Sequence, residues 1–161
     1  MPRALPPANK ENAMNTHPCL RAYLAGVFVP TLVLPLLLAV FIVVRIVLQV
    51  PVPIEQGMIF PMAVVPSFFG LWNMLYLASH EWTHLPIGLH GAILPLLMAP
   101  VGATVATGLH VLEFGSHGVI WFQACPVPYA LIAPGFLAAL VGYYLVWKYI
   151  VGFLNRVLGI A

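Results

Sequence analysis

The chain has 161 residues, of which 62% are hydrophobic and 6% are charged, and its mean hydropathy is +1.01. Because so few charged groups cannot cover a soluble globule, the composition predicts an integral membrane protein. The net charge of +2 comes from basic residues that lie singly and far apart, which excludes a phosphate-binding patch and hence a nucleic-acid partner.

The chain begins with a polar, proline-containing segment, residues 1–21, that shows no apolar periodicity. Such a segment cannot bury a core, so it is predicted to be a disordered cytoplasmic tail. The remainder, residues 22–161, is predicted to form one transmembrane domain. The sequence therefore indicates a single membrane-embedded unit with no soluble domain.

Four apolar segments are long enough to cross the roughly 30 Å hydrocarbon layer, which takes about 20 helical residues. Lipid offers no partner to a free backbone N–H or C=O, so each segment must be helical. Short loops between them make neighbouring helices antiparallel. The sequence therefore predicts an all-α membrane protein, an up-down bundle of four helices. The predicted spans are residues 22–46, 58–79, 89–112 and 128–152.

The distribution of basic residues predicts the orientation. An even number of spans leaves both termini on one side of the membrane, and five of the six Lys and Arg residues lie on that side. The positive-inside rule then places both termini in the cytoplasm, in a plasma (inner) membrane. Cys19 and Cys125 fall on opposite faces of the bilayer, so no disulfide is expected between them.

Prolines lie in the first half of every predicted span. A proline removes one backbone donor and blocks the carbonyl one turn earlier, so each helix is predicted to be kinked. The pairs are Pro30 and Pro35, Pro61 and Pro66, Pro95 and Pro100, and Pro128 and Pro134.

A possible metal motif, HEWTH, follows the second span at residues 80–84 and matches the zinc-protease signature H-E-x-x-H. On a helix, His80 and His84 would hold one zinc ion from the same face. Glu81 would then act as the catalytic base towards a metal-bound water. A zinc site of this kind needs a third protein ligand.

His90 is the nearest third ligand. It follows His80 by ten residues, and this eleven-residue stretch resembles the longer signature of metzincin proteases. The stretch departs from that pattern because its glycine, Gly88, is one place late. It also resembles intramembrane site-2 proteases, but those take an Asp ligand and this chain contains no Asp.

Small residues recur four apart in the third and fourth spans. This spacing lets helix backbones approach closely, within one bundle or between two copies of the chain. The pairs are Gly102 with Ala106, Ala103 with Thr107, Gly135 with Ala139, and Ala138 with Gly142.

The leading interpretation is a non-enzymatic integral membrane protein without a cofactor, a subunit or accessory of a larger complex or homo-oligomer. It rests on minimal loops and on the absence of charge in mid-span. One alternative is a membrane-embedded zinc hydrolase that uses Glu81 with His80, His84 and His90. Another is a small transporter. The polar side chains that sequence places near mid-span for such a path are Asn73, Thr104 and Thr107.

Overall fold

The computed structural model describes residues 17–50, 54, 58, 60–123 and 125–160. Most of the predicted tail, residues 1–16, lies outside the described residues. The predicted boundary at residue 21 differs from the structure, because the chain is helical from Pro18. Proline suits a first helical turn, where its missing N–H is not needed and its fixed φ is already helical. The helices are α1 (Pro18–Val47), α2 (Phe60–Thr83), α3 (Ile87–Gly108), α4 (Tyr129–Leu145) and α5 (Gly152–Val157).

Within the described residues, four helical stretches are long and apolar enough to cross a membrane, as many as the sequence predicts. The helices continue through their internal prolines, including Pro30 and Pro66. The antiparallel bundle and the kinks stay predictions. The four stretches are Pro18–Val47, Pro61–Thr83, Ile87–Gly108 and Tyr129–Val157.

The last stretch contains one π-helical turn, Val146–Val151, between α4 and α5. A π turn holds an extra residue relative to an α-helical turn. It contains two fully buried residues, Trp147 and Val151, and it packs against α3. The predicted fourth span, residues 128–152, ended before this stretch does.

A three-stranded antiparallel sheet connects α3 to α4, which corrects the prediction of purely helical structure with short loops. The third span also ends earlier than predicted, at Gly108, because His110 takes a left-handed conformation with φ 56°. The strands have only three or four residues each, so their apolar runs are too short to be distinguished from a helix end by periodicity. They are β1 (Leu112–Phe114), β2 (Gly118–Trp121) and β3 (Cys125–Pro128).

The hydrophobic core lies between α2, α3 and the C-terminal helical stretch. It is formed by Phe69 from α2, Leu94 from α3, and Trp147 and Val151 from the π turn. The most extensive contact between two helices is that of α1 with α2. Val29 of α1 packs against this core, which thus joins α1 and α2 to α3 and the C-terminal helical stretch.

Candidate functional site

The HEWTH stretch forms the C-terminus of α2. The helix ends at Thr83, and His84 takes a left-handed conformation with φ 50°. The His84 N–H donates to the His80 carbonyl at 3.0 Å, the single hydrogen bond of an αL helix cap. Pro86 follows two residues later, as is common after such caps. His84 therefore lies beyond the helical geometry that the predicted zinc pair assumed.

His80 and Glu81, the first two residues of the motif, are exposed near this helix end. The His80 ring lies beside Tyr76, with ring centroids 5.1 Å apart. Tyr76 also contacts the ring of His90, at 5.3 Å between centroids. The structure therefore brings His80 and His90 to the same tyrosine.

His90 is buried and 4% exposed, and it is bound to α2 through Trp72. Its Nε2 lies 3.0 Å from the Trp72 carbonyl oxygen. Since that oxygen can only accept, Nε2 carries the hydrogen and donates. In return, the Trp72 indole Nε1–H donates to the His90 carbonyl at 2.9 Å. The two rings stack with centroids 4.7 Å apart, so the imidazole connects α3 to α2.

These positions bear on the predicted zinc ligands. Among the residues that the structure describes, no three His, Cys, Asp or Glu side chains form a group that could hold a metal ion. In the arrangement seen, the Nε2–H group of His90 is committed to a carbonyl oxygen and has no lone pair for a metal. The zinc assignment of His80, His84 and His90, with Glu81 as base, stays a prediction.

A buried amide pair forms a second polar feature of the molecule. Asn73 and Asn155 are both 0% exposed, and each side chain donates to the other, at 2.8 and 3.1 Å. Asn73 also donates to the Ala22 carbonyl at 2.7 Å. One pair of amides thus connects α1, α2 and α5.

The sequence identified half of this amide pair. Asn73 was recognised as a mid-span polar residue, whereas Asn155 lay beyond the predicted fourth span. The other two mid-span polar residues, Thr104 and Thr107, donate within α3 to the carbonyls of Pro100 and Ala103, both at 2.8 Å. Asn155 could have been identified from the sequence, because it is a polar residue inside an apolar C-terminal segment.

Trp147 fills the space between the π turn and α3. A Cβ atom at Gly91 would overlap the Trp147 side chain, so only glycine fits there. The ring also lies edge-on to His90, with centroids 6.1 Å apart. The indole Nε1–H is buried and finds no acceptor in the part of the chain that the structure describes. Trp147 therefore completes an aromatic cluster with Trp72, Tyr76 and His90.

α4 presents a different surface, because none of its 17 residues is buried. At Gly135 and Gly142 nothing lies within 4 Å of the position that a Cβ atom would take. Gly102 and Gly108 in α3 are equally open. The small residues that the sequence singled out in these two helices therefore leave open space beside their glycines.

No protein-family model, no curated protein and no solved structure matches the chain. The role proposed for the protein therefore rests on its own residues.

Proposed function

We propose that the chain is a non-enzymatic subunit of a larger membrane assembly, which it joins through the exposed face of α4. The observation that carries this proposal is that α4, the first 17 residues of the membrane-spanning candidate Tyr129–Val157, contains no buried residue. Helices in a bilayer gain no hydrophobic free energy from pairing. They associate through close van der Waals packing where side chains are small.

The small residues of α4 define the face that we assign to the partner. Gly135, Ala138, Ala139 and Gly142 are all exposed. The two glycines have no side chain that would hold a neighbouring helix away, and no part of the described chain occupies their space. A partner helix that packs here would gain dispersion contacts that lipid chains fill less well.

We further propose an antiparallel bundle with proline-kinked helices and both termini in the cytoplasm of a cell with an inner membrane. The Arg21 Nη1 donates to the Leu158 carbonyl at 2.6 Å, which supports termini on one side. Lys148 and Arg156 lie in the same terminal segment, whereas Arg45 lies in the last turn of α1. This distribution supports a cytoplasmic position for the first group.

The proposal is tested by the mass of the protein extracted from its native membranes in mild detergent. We expect an assembly larger than one 17.5 kDa chain. Replacing both Gly135 and Gly142 with Leu should release the single chain, because the added side chains separate the partner helix. The matched control replaces Val33 and Val40, exposed on α1, with Leu and should leave the assembly intact.

Two results would contradict the subunit role. One is a single chain in native membranes, both by mass and by chemical crosslinking at its own expression level. The other is turnover of a substrate by the isolated protein. Unchanged helicity by circular dichroism is required of every variant, so that loss of assembly is separated from loss of folding.

A further inference from the structure

The three-stranded sheet carries its large aromatic side chains on one face and its one charged residue, Glu113, on the other. Directly paired residues of an antiparallel sheet share a face, and alternate residues along a strand share it too. The pairs Leu112 with Trp121 and Phe114 with Val119 therefore lie on one face, which we call the apolar face. Glu113 pairs with Ile120, which pairs with Pro126, and these three residues lie on the opposite face.

Helices cover only part of the apolar face. Leu112 is 6% exposed and Val119 3% exposed, so these two residues of the face are packed. On the same face Phe114 is 64% exposed and Trp121 40% exposed. Two large aromatic side chains are thus exposed on the same face as the buried residues.

The sheet lies beside the last turns of α3 rather than beyond them. A groove is lined by Phe114 together with Pro100, Ala103, Thr104 and Thr107 of α3. A helix of 22 residues is about 33 Å long at 1.5 Å per residue, hardly longer than the hydrocarbon layer of roughly 30 Å. With α3 placed across the membrane, its final turns lie within the hydrocarbon layer or at its edge. The Phe114 side chain beside these turns lies at the same level.

The residue that follows β2 contacts α1 at a position before the end of that helix. Phe122, which follows β2, packs edge-on against Phe41 with ring centroids 5.7 Å apart. Phe41 precedes Val47, the last residue of α1, by six residues, or about 9 Å along the helix axis. Two separate contacts therefore place the sheet alongside the ends of the spans.

We propose that the sheet is a lipid-binding element that lies in the head-group region, with Phe114 and Trp121 inserted towards the acyl chains. The groove beside Phe114 would hold a segment of an acyl chain. The Thr104 and Thr107 hydroxyls that line it already donate to carbonyls of α3, so they need no polar ligand. The inference rests on the membrane-spanning helices and not on the partner face of α4.

The head-group region is the level that suits both parts of the sheet. Aromatic side chains concentrate at membrane interfaces, where one part of the ring is apolar and the other hydrated. β1 and β3 are the edge strands of the sheet that the structure describes, and the outward backbone groups of an edge strand are not tolerated in the hydrocarbon core. Glu113, on the face opposite Phe114, is then directed to water.

The test compares neighbouring positions on opposite faces of β1. Cys19 and Cys125, both exposed, are replaced with Ser, and single cysteines are introduced as Phe114→Cys or Glu113→Cys. Each full-length variant carries a nitroxide label in phosphatidylcholine–phosphatidylglycerol vesicles. Collision rates with oxygen, which partitions into lipid, and with a water-soluble nickel chelate are measured by electron paramagnetic resonance.

We expect the label at residue 114 to collide more with oxygen and at least threefold less with the nickel chelate than the label at residue 113. Trp121→Cys should behave as residue 114 does, and Ile120→Cys as residue 113 does. Equal access of the nickel chelate to residues 113 and 114 would overturn the proposal. If Phe114→Cys fails to fold, the comparison of the labels at residues 121 and 120 tests the proposal in the same way.

A label at Leu137, which is 61% exposed in α4, separates this proposal from the subunit role and from failed insertion. Protection of Leu137→Cys from the nickel chelate shows that the spans are in the bilayer. Protection there without protection at residue 114 refutes the lipid-binding sheet alone. Replacing Gly135 and Gly142 with Leu should leave the difference in collision rates between the labels at residues 113 and 114 unchanged.

Discussion

His84 combines a helix-capping conformation with a place in the predicted zinc motif, and these two roles respond differently to substitution. A left-handed backbone costs an L-residue about 1–2 kcal/mol, whereas glycine adopts it without a Cβ clash. The φ of 50° at His84 is therefore a position where glycine is favoured.

We expect His84→Gly to raise the free energy of unfolding in detergent by about 1 kcal/mol, because glycine relieves the backbone of the cap. His84→Ala, which also removes the imidazole but keeps a Cβ, should give no such gain. Thermal unfolding and zinc content by elemental analysis are measured on both variants. If both lose stability equally, together with about one zinc per chain, His84 is a metal ligand and not only a cap.

Gly91 and Gly102 make a second comparison within one helix. Gly91→Ala should destabilise the protein by about 1–3 kcal/mol, because the new methyl group enters the space of the Trp147 side chain. Gly102→Ala meets nothing within 4 Å and should be neutral or stabilising by up to about 1 kcal/mol. Urea or thermal unfolding in detergent measures both, and equal effects would contradict the close packing of Trp147 on α3.

Asn73 and Asn155 connect three helical elements, so their contribution belongs to the scale of elements. Exchange of either residue for Ala leaves the other buried amide without its partner, which costs about 1–3 kcal/mol. We expect the double variant to lose less stability than the sum of the single variants, with a coupling of about 0.5–2 kcal/mol. Additive losses would mean that the two amides do not act as a pair.

At the level of elements, sequence predicted what depends on length and hydropathy. The four helices capable of spanning a membrane are visible in the sequence because an apolar segment of about 20 residues has one stable structure in lipid. The sheet was missed because strands of three or four residues carry little periodicity, and the π turn because no local residue pattern marks it. The contact of His90 with Trp72 joins positions 18 residues apart, which spacing within one helix cannot reveal.

For the whole molecule, orientation is the property that the proposed topology makes measurable. In the background without native cysteines, Thr83→Cys lies at the end of α2 and Ser116→Cys in the turn between β1 and β2, and both positions are exposed. In intact cells, a membrane-impermeant maleimide should label residue 116 and leave residue 83 unlabelled, because the α2–α3 connection is proposed to be cytoplasmic.

Permeabilised cells are the control for this labelling, since both cysteines should then react. Labelling of residue 83 alone in intact cells would invert the proposed orientation. Labelling of both in intact cells would contradict the proposed placement of these two connections on opposite sides of the membrane.

The π turn sets the rotational phase of the end of the chain. Trp147, Val151 and Asn155 are spaced by four residues and are all 0% exposed. In a regular α-helix, residues eight apart diverge by about 80°, but one extra residue in the turn reduces the divergence to about 20°. Deletion of a single residue between Trp147 and Asn155 would therefore rotate everything that follows. In the evolution of this protein, an insertion or deletion at this turn would change which of the later residues face inward, all in a single step.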